Sequence, residues 1–211
     1  MDSLVVVRHP VVADKITQLR DRRTANAEFL RLAGEISRFV GYEAFRELPL
    51  TARSVDTPVS ANASGERLEQ EFVIVPILRA GLGMSPAMQE LLPRHRLCPV
   101  GLRRNEETLR PDVYLDGLPG DLAGAPVVIC DPMLATGGSL DCVATMVRER
   151  GGGPVTVVCL IAARPGVDFV LGRHRELTIV AAALDEELTD VGYITPGLGD
   201  AGDRLFGPPV R

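Results

Sequence analysis

An aspartate followed by a loop of small and hydroxylated residues suggests a site for a phosphorylated sugar. The stretch VVICDPMLATGGSL, residues 127–140, runs from four apolar residues through Asp131 to the sequence TGGS at 136–139. Glycines leave backbone N–H groups free to close on an anion, hydroxyls add donors, and a following helix adds the positive charge of its N-terminus. The Asp131 carboxylate can accept hydrogen bonds from sugar hydroxyls. An ordinary strand-to-helix turn with Ser139 as its N-cap is the alternative interpretation.

A second candidate for anion binding is Arg79, in the segment PILRAGLG. It comes just after the apolar run FVIVPI, residues 72–77, and small residues follow it. The fork of an arginine can bind a pyrophosphate through two parallel hydrogen bonds, whereas a surface arginine without a ligand is the alternative. Lys15 is the only lysine, and no G-K-[ST] sequence occurs. This excludes a Walker A loop and argues against a Schiff-base lysine.

The C-terminal segment GYITPGLGDAGDRLFG, residues 192–207, contains a G-x-G-x-x-G pattern that ends at Gly202. A dinucleotide-binding fingerprint needs a preceding strand, a long following helix and an acidic residue about 20 positions further on. Only nine residues follow Gly202, so this interpretation fails on length. The segment also carries Leu205 and Phe206, which a disordered tail would not usually contain. A structured C-terminal cap is therefore the minimal interpretation.

Composition narrows the classes of function. The chain has 211 residues, 45% of them hydrophobic, and a net charge of −5, which favours a folded domain and argues against bulk nucleic-acid binding. No apolar run approaches the ~20 residues needed to span a bilayer, and no signal peptide is evident, so a cytoplasmic protein without membrane contact is expected. The four cysteines form no C-x-x-C pair and the three histidines have no metal-ligand spacing, which predicts reduced cysteines and no protein-built zinc site.

The elements that position these residues indicate an α/β protein. Continuous apolar runs of strand length are typical of strands buried on both faces, as in a parallel sheet covered by helices. We predict a single domain over residues 1–211. Strands are expected at 72–77, 127–130, 155–161 and 177–184; helices at 15–48, 83–92, 139–150 and 166–173; an irregular segment or β-arm at 49–66; and an exposed flap hairpin at about 103–120.

Four segments resemble the type I phosphoribosyltransferases, in the form found in the uracil phosphoribosyltransferase family. They are DPMLATGGS, VPILRAGLGM (Val75–Met84), RNEET (Arg104–Thr108) and the C-terminal segment, and they occur in the family's order. The uracil branch typically has Pro after the aspartate, as Pro132 follows Asp131 here. The resemblance implies a mostly parallel central sheet flanked by helices, with a flap hairpin and a C-terminal hood that binds the base.

The resemblance also implies roles for individual residues. Arg79 and Arg104 are expected to contact the pyrophosphate, and Arg103 departs from the aromatic residue that the family often has there. A strained peptide, with the cis form as one option, is implied near Arg79–Ala80. Residues implied to bind 5-phospho-α-D-ribose 1-diphosphate (PRPP) are Arg79, Arg104, Asp131, Pro132, Met133, Leu134, Ala135, Thr136, Gly137, Gly138, Ser139 and Asp200; those for uracil are Ile194, Gly199, Asp200 and Ala201; and the catalytic set is Asp200, Arg104 and Asp131.

The implied reaction joins uracil to PRPP and releases UMP and diphosphate, with Mg²⁺ carried by the PRPP pyrophosphate rather than by a protein metal site. Family members commonly form homo-oligomers and some respond to GTP, so both properties are expectations. Two alternatives remain open at this point. One is a regulator on the same scaffold that binds nucleotides and RNA, against which the net charge of −5 speaks. The other is the same reaction with hypoxanthine, orotate or another base.

Overall fold

The computed structural model of the chain describes residues 3–104 and 111–207. The strands are β1 (Leu4–Val6), β2 (Thr51–Val55), β3 (Ala63–Arg67), β4 (Phe72–Leu78), β5 (His95–Leu97), β6 (Val100–Arg104), β7 (Pro111–Asp116), β8 (Val127–Cys130), β9 (Met133–Leu134), β10 (Val155–Ala163), β11 (Thr178–Asp185), β12 (Glu187–Leu188) and β13 (Ile194–Thr195). The helices are α1 (Pro10–Arg20), α2 (Asn26–Ala44), α3 (Ser85–Leu91), α4 (Gly138–Glu149), α5 (Arg164–Arg173) and α6 (Ala201–Phe206), with a 3-10 turn at Ala80–Gly83.

A central sheet organises the chain. Its strand order is β1-β11-β10-β8-β4-β6-β7, with β5 beside β4 and β9 beside β10. Every pair in this sheet is parallel except β6 with β7, which form an antiparallel hairpin. The four strands expected from the apolar runs are confirmed, and β6 and β7 form an antiparallel pair in the region of the flap expected at about 103–120, with β6 beginning earlier, at Val100. Within the described ranges, no helix is both long enough and apolar enough to cross a bilayer.

Both faces of the sheet are covered, because alternate residues of the apolar strands belong to two different cores. Phe72 and Ile74 of β4 pack with α1, α2, α3 and α6, whereas Val73 and Val75 pack with α4 and α5. Strands β8, β10 and β11 divide their side chains in the same way. This two-sided burial explains why the strands appear in the sequence as continuous apolar runs rather than alternating ones.

The long helix expected over residues 15–48 is two helices. Helix α1 begins at Pro10 and ends at Arg20, and α2 begins at Asn26. The break has a local cause, because the Asp21 carboxylate accepts a hydrogen bond from the backbone N–H of Arg23 at 2.9 Å. Such aspartate turns compete with the helical hydrogen-bond pattern. Phe29, Ala33, Ile36 and Val40 recur at helical spacing and are buried on one face of α2. This spacing of apolar residues does not reveal the interruption between α1 and α2.

Candidate active site

The cavity that contains Asp131 and Arg79, which we call the main cavity for its place in the candidate site and not for its size, lies at the carboxyl ends of neighbouring strands. Strands β4 and β8 are paired in parallel, with Pro76 opposite Cys130, so Arg79 and Asp131 leave the sheet at the same edge. They face a cavity of about 430 Å³. Ligands of open α/β sheets bind at this edge. The lining is formed by Ile77, Leu78, Arg79, Ala80, Leu102, Tyr114, Asp131, Met133, Ala135, Thr136, Gly137, Gly138, Ser139, Leu140, Asp200 and Gly202.

The loop after Asp131 is anchored beneath the cavity. The carbonyl of Pro132 accepts hydrogen bonds from Leu160 and Ile161 at 3.1 and 3.0 Å, and β9 pairs with β10. Pro132 and Leu134 are consequently buried, whereas Met133 and Ala135 line the cavity. Of the loop residues expected to bind PRPP, these two buried ones serve to fix the backbone, and the others are placed where a ligand could reach them.

Gly137 determines how helix α4 begins. It is the N-cap residue, with φ of 86°, and a Cβ atom there would lie 2.8 Å from Val170 and 2.9 Å from Phe169 of α5. Only glycine meets both requirements. The alternative in which Ser139 is the N-cap is therefore wrong: Ser139 lies within the first turn of α4, and its exposed side chain lines the cavity. The first N–H groups of α4 consequently have no side-chain cap from the helix's own N-cap residue.

Asp131 has an unusual electrostatic environment. Its Oδ1 atom accepts a long hydrogen bond of 3.4 Å from the backbone N–H of Met133. No arginine or lysine in the described ranges forms an ion pair with this carboxyl. Burial raises the pKa of Asp131 to about 7, and the Met133 hydrogen bond lowers it only in part. A group with such a pKa at the mouth of a cavity is a candidate for a functional role.

Arg79 also lines the main cavity, which distinguishes it from an ordinary surface arginine. Its Nη2 atom donates to Asp203 of α6 at 3.0 Å, and Nη1 lies 3.4 Å from the carbonyl oxygen of Gly207. The remaining guanidinium N–H groups are available to an anion. The strained peptide expected near Arg79–Ala80 is a cis peptide bond one residue earlier, between Leu78 and Arg79.

A second, smaller cavity of about 220 Å³ adjoins the first. All four residues expected to bind uracil line it, namely Ile194, Gly199, Asp200 and Ala201. The two cavities share Ala80, Met133, Ala135, Asp200 and Gly202. The structure therefore brings the residues expected for the sugar phosphate and for the base to adjacent spaces, with Asp200 on the border between them.

The C-terminal segment is ordered by helix α6 and by arginine contacts. Asp200 is the N-cap of α6, and its side chain accepts a hydrogen bond from the N–H of Asp203 at 2.8 Å. Arg204 donates to the carbonyl oxygens of Leu19 at 2.7 Å and Leu198 at 3.1 Å, and its guanidinium carbon lies 4.3 Å from the Phe29 ring centroid. These contacts explain why a glycine-rich segment has a defined structure.

The flap hairpin supplies residues that the motifs did not reveal. Leu102 of β6 and Tyr114 of β7 line the main cavity, while Arg103 lies by a small neighbouring cavity with Thr136 and Ser139. Arg104 is the last residue of β6, opposite Pro111, and its side chain lies outside the described residues. Residues 105–110, which include the expected flap residues Asn105–Thr108, lie outside them as well. Regular two-residue alternation could not have identified this pair, because Leu102 lies opposite Val113 and a register shift between Gly101 and Leu102 interrupts the pairing next to Tyr114.

The carboxylates of the main cavity fit a magnesium ion that is delivered with a substrate. Among residues 3–104 and 111–207, no cluster of three or more His, Cys, Asp and Glu side chains could hold a metal ion. The cavity presents two carboxylates, Asp131 and Asp200. Mg²⁺ is commonly held by one or two carboxylates together with substrate phosphates and water, and this donor set meets that pattern.

The deciding comparison is with protein-family sequences. The model of the family described as uracil phosphoribosyltransferase matches residues 6–208. The chain belongs to the uracil phosphoribosyltransferase family. The uracil phosphoribosyltransferase of Corynebacterium efficiens is 45% identical over 206 residues, which cover 98% of this chain and 97% of that relative.

Solved structures confirm the expected type I phosphoribosyltransferase fold. The AQ2163 protein from Aquifex aeolicus superposes with a TM-score of 0.91 at 36% identity, over 99% of this chain and 100% of that one. Adenine phosphoribosyltransferase from Trypanosoma brucei, solved with AMP, pyrophosphate and ribose-5-phosphate, has a TM-score of 0.55 at 14% identity, over 95% of this chain and 89% of its own. The second similarity concerns the fold alone.

Proposed function

We infer that this chain is a uracil phosphoribosyltransferase that joins uracil to PRPP and releases UMP and diphosphate in pyrimidine salvage. Such an enzyme is a pentosyltransferase, EC 2.4.2.9. The observation that carries the proposal is the meeting of two cavities at Asp200. One contains the loop after β8 together with Arg79, and the other contains the C-terminal residues. A phosphoribosyl group in the first and a base in the second would be neighbours across a shared wall.

The sugar phosphate belongs in the loop that leads into α4. Thr136, which has a hydroxyl, and Gly138 and Ser139, the first two residues of α4, line the main cavity. A phosphate there would receive hydrogen bonds from neutral donors and the positive end of the helix dipole. Asp131, at the start of the same loop, would accept hydrogen bonds from the ribose hydroxyls. This division of roles needs no lysine, in agreement with the composition.

The pyrophosphate belongs beside Arg79. The guanidinium is held by Asp203 in the structure, and both side chains are 42% exposed, so the ion pair is weak enough to be exchanged. A pyrophosphate has more negative charge than a carboxylate and can accept two parallel hydrogen bonds from the guanidinium. Arg104, at the end of β6, is proposed to close over the same group. A closed flap would exclude water from the reacting carbon.

Uracil is proposed to be recognised by the main chain of residues 199–202. The edge of uracil presents an acceptor, a donor and an acceptor, which backbone N–H and C=O groups can complement. The first N–H groups of α6, at Ala201 and Gly202, have no carbonyl partner within the helix. At Gly199, where φ is 82°, a Cβ atom would meet nothing within 4 Å, so space for a base is available. Cytosine would leave a buried group unpaired, at a cost of about 1–3 kcal/mol.

Catalysis then depends on positioning and on stabilisation of the departing diphosphate. Arg79 and Arg104 supply fixed positive charge where negative charge develops. Asp200, between the two cavities, is proposed to favour positive charge on the ribose or to orient N1 of uracil. Mg²⁺ carried by the PRPP pyrophosphate supplies further neutralisation of the leaving group when it is bound. No cysteine or histidine is needed as a nucleophile.

The direct test is an assay with radiolabelled uracil, PRPP and Mg²⁺, followed by separation of UMP. We expect UMP to form, and we expect uracil to exceed cytosine in kcat/KM by about tenfold or more because of the unpaired group. Hypoxanthine and orotate serve as further bases in the same panel. If no UMP forms but another base is converted, that base and not uracil is the substrate. Absence of any turnover, with a gel shift of pyrimidine-operon leader RNA, would favour the regulatory alternative.

We also propose that the chain forms a homo-oligomer. Strands β2 and β3 form a two-stranded ribbon that belongs to no other sheet, and every residue of β2 is exposed. The arm carries two exposed apolar side chains, Val55 at 50% and Val59 at 94% exposure. An isolated two-stranded ribbon is marginally stable in water, so contact with a second copy would explain its persistence. Sensitivity to GTP stays a prediction, and the UMP assay repeated with GTP checks it.

A charge placed on this arm should weaken the assembly. We expect multi-angle light scattering to give a multiple of the 22.7 kDa chain mass for the unmodified protein. Val59→Asp should shift the mass toward one chain at low protein concentration, because an ionised carboxylate is costly to bury. Gly172→Asp is the matched control, since it adds the same charge on α5, where open space surrounds the glycine. An unmodified protein with the mass of one chain would refute the assembly.

A further inference from the structure

The segment that faces the proposed uracil site is attached to the sheet by a largely buried ion pair, in which the arginine side chain is 22% exposed and the aspartate side chain 6%. Arg20, the last residue of α1, and Asp185, the last residue of β11, are 165 positions apart in the sequence. Their side chains form a two-bond fork, with Nη1 to Oδ2 at 2.7 Å and Nη2 to Oδ1 at 2.6 Å. Asp185 is 7% exposed. Neither residue lines the main or the smaller cavity.

Both side chains also bind the backbone of one residue in that segment. The N–H of Gly197 donates to Asp185 Oδ2 at 3.0 Å, and the carbonyl oxygen of Gly197 accepts from Arg20 Nη1 at 2.8 Å. Gly197 has φ of 56°, and a Cβ atom there would lie 2.2 Å from the carbonyl oxygen of Ile194. The peptide groups on both sides of Gly197 are thus held by charged partners. Gly197 lies two residues before Gly199, where the proposed main-chain contacts to uracil begin.

Stability alone is a poor explanation for this arrangement. A buried ion pair loses hydration that its mutual attraction often fails to recover, so apolar residues of similar volume can serve stability equally well. An apolar pair, however, could not bond the N–H and the carbonyl of Gly197. Charged groups that make several hydrogen bonds in a fixed geometry fix orientation instead, and the planar guanidinium is suited to this.

We propose that Arg20 and Asp185 are positioning residues for uracil: they act through Gly197 to orient the backbone of residues 197–201. This rests on the proposed function, because it assigns the support of that same base site. The sugar-phosphate loop is anchored separately, through Pro132 and the α4–α5 contact at Gly137. Asp200 is the only proposed PRPP contact within residues 197–201, so loss of the ion pair should change the affinity for uracil by a larger factor than the affinity for PRPP.

The test compares steady-state constants for both substrates in three variants of the ion pair and one control variant. Asp185→Ala removes the acceptor for Gly197 and the partner of Arg20, and we expect the KM for uracil to rise about tenfold or more. Asp185→Asn keeps one acceptor oxygen and should give a smaller rise. Arg20→Lys keeps the charge but loses the planar fork, and it too should raise the uracil KM. In all three variants the KM for PRPP should rise by a clearly smaller factor than the KM for uracil, because most of the proposed PRPP contacts lie in the separately anchored loop after β8.

Arg38→Lys is the matched control. Arg38 makes a similar two-bond fork with Glu90, at 2.8 and 3.0 Å, on the exposed surface of the molecule. Its replacement should leave both KM values unchanged. Melting temperatures are measured for every variant, so that kinetic constants are compared below the onset of unfolding. Should Asp185→Ala fail to fold, the graded pair Asp185→Asn and Arg20→Lys still decides the question.

Two results would overturn the proposal. One is an unchanged uracil KM in folded Asp185 and Arg20 variants. The other is a parallel rise of both KM values together with a lower melting temperature, which would indicate general destabilisation. Failure of the proposed function looks different, because the unmodified protein itself would then form no UMP.

Discussion

Arg79→Ala is expected to lower kcat/KM for PRPP by about 10²–10³-fold, the loss that follows removal of one preorganised charge-stabilising group. The reason is geometric: Arg79 lines the main cavity directly after β4, and its only ion-pair partner in the described chain is the exchangeable Asp203. Negative charge grows on the diphosphate as the bond to the ribose breaks. A guanidinium in place before the reaction stabilises that charge without further rearrangement.

The measurement is a steady-state assay of UMP formation at varied PRPP and fixed, saturating uracil. Arg79→Lys should recover part of the loss, because it restores the charge without the two-bond fork. Arg38→Ala is the control, since it removes an arginine fork from the surface. Pyrophosphate should inhibit the Arg79→Ala variant more weakly than the unmodified protein. A variant with unchanged kcat/KM would show that another group binds the pyrophosphate.

Asp131→Asn is expected to lower kcat/KM for PRPP by about 10²-fold, because charged hydrogen bonds to the two ribose hydroxyls are lost. It should also remove a pH dependence. Burial raises the pKa of Asp131 to about 7, so in the free protein the carboxyl gains a proton as the pH falls from 8 to 6. The protonated form is a poorer acceptor, and kcat/KM should fall over this window. The ionisable groups of PRPP are the same in both assays. Dividing the pH profile of kcat/KM of the unmodified protein by that of Asp131→Asn therefore cancels the titration of PRPP and leaves that of Asp131.

The same substitution should stabilise the fold at high pH. The folded-state pKa of Asp131 lies above its ordinary value of 3.8, so the protonated form is favoured in the folded protein. Below pH 3.8 the carboxyl is protonated in both the folded and the unfolded protein and costs no stability. The free energy of unfolding then decreases as the pH rises from 3.8 through about 7, by at most about 4 kcal/mol. Asparagine carries no such penalty. The melting temperature of Asp131→Asn should exceed that of the unmodified protein at pH 8, and the difference should shrink toward pH 5.

A melting-temperature difference that is independent of pH would contradict this account of Asp131. Ser139→Ala serves as a control for the stability measurement, because it removes a polar cavity group without a titrating proton. Together the kinetic and thermal results would describe a carboxyl that is retained for ligand binding at a cost in stability, which is common at functional sites.

Local sequence identified the sheet strands and predicted the chemistry of the candidate site. The run VVIC is apolar at every position, and such a strand is stable only when both faces are covered, so a parallel sheet followed. The glycines and hydroxyls after Asp131 indicate an anion site because their properties are local: small residues expose backbone N–H groups wherever they occur. The polar, proline-containing sequence predicted a flap at about 103–120, and β7 (Pro111–Asp116) lies within that range, whereas β6 begins at Val100.

Tertiary structure alone decided which groups meet. Gly137 rather than Ser139 caps α4, because Val170 and Phe169 of α5 occupy the space where a Cβ would be. Arg20 and Asp185 are joined across 165 positions to hold Gly197. Contacts between distant segments depend on how the layers pack, and no short stretch of sequence contains that information.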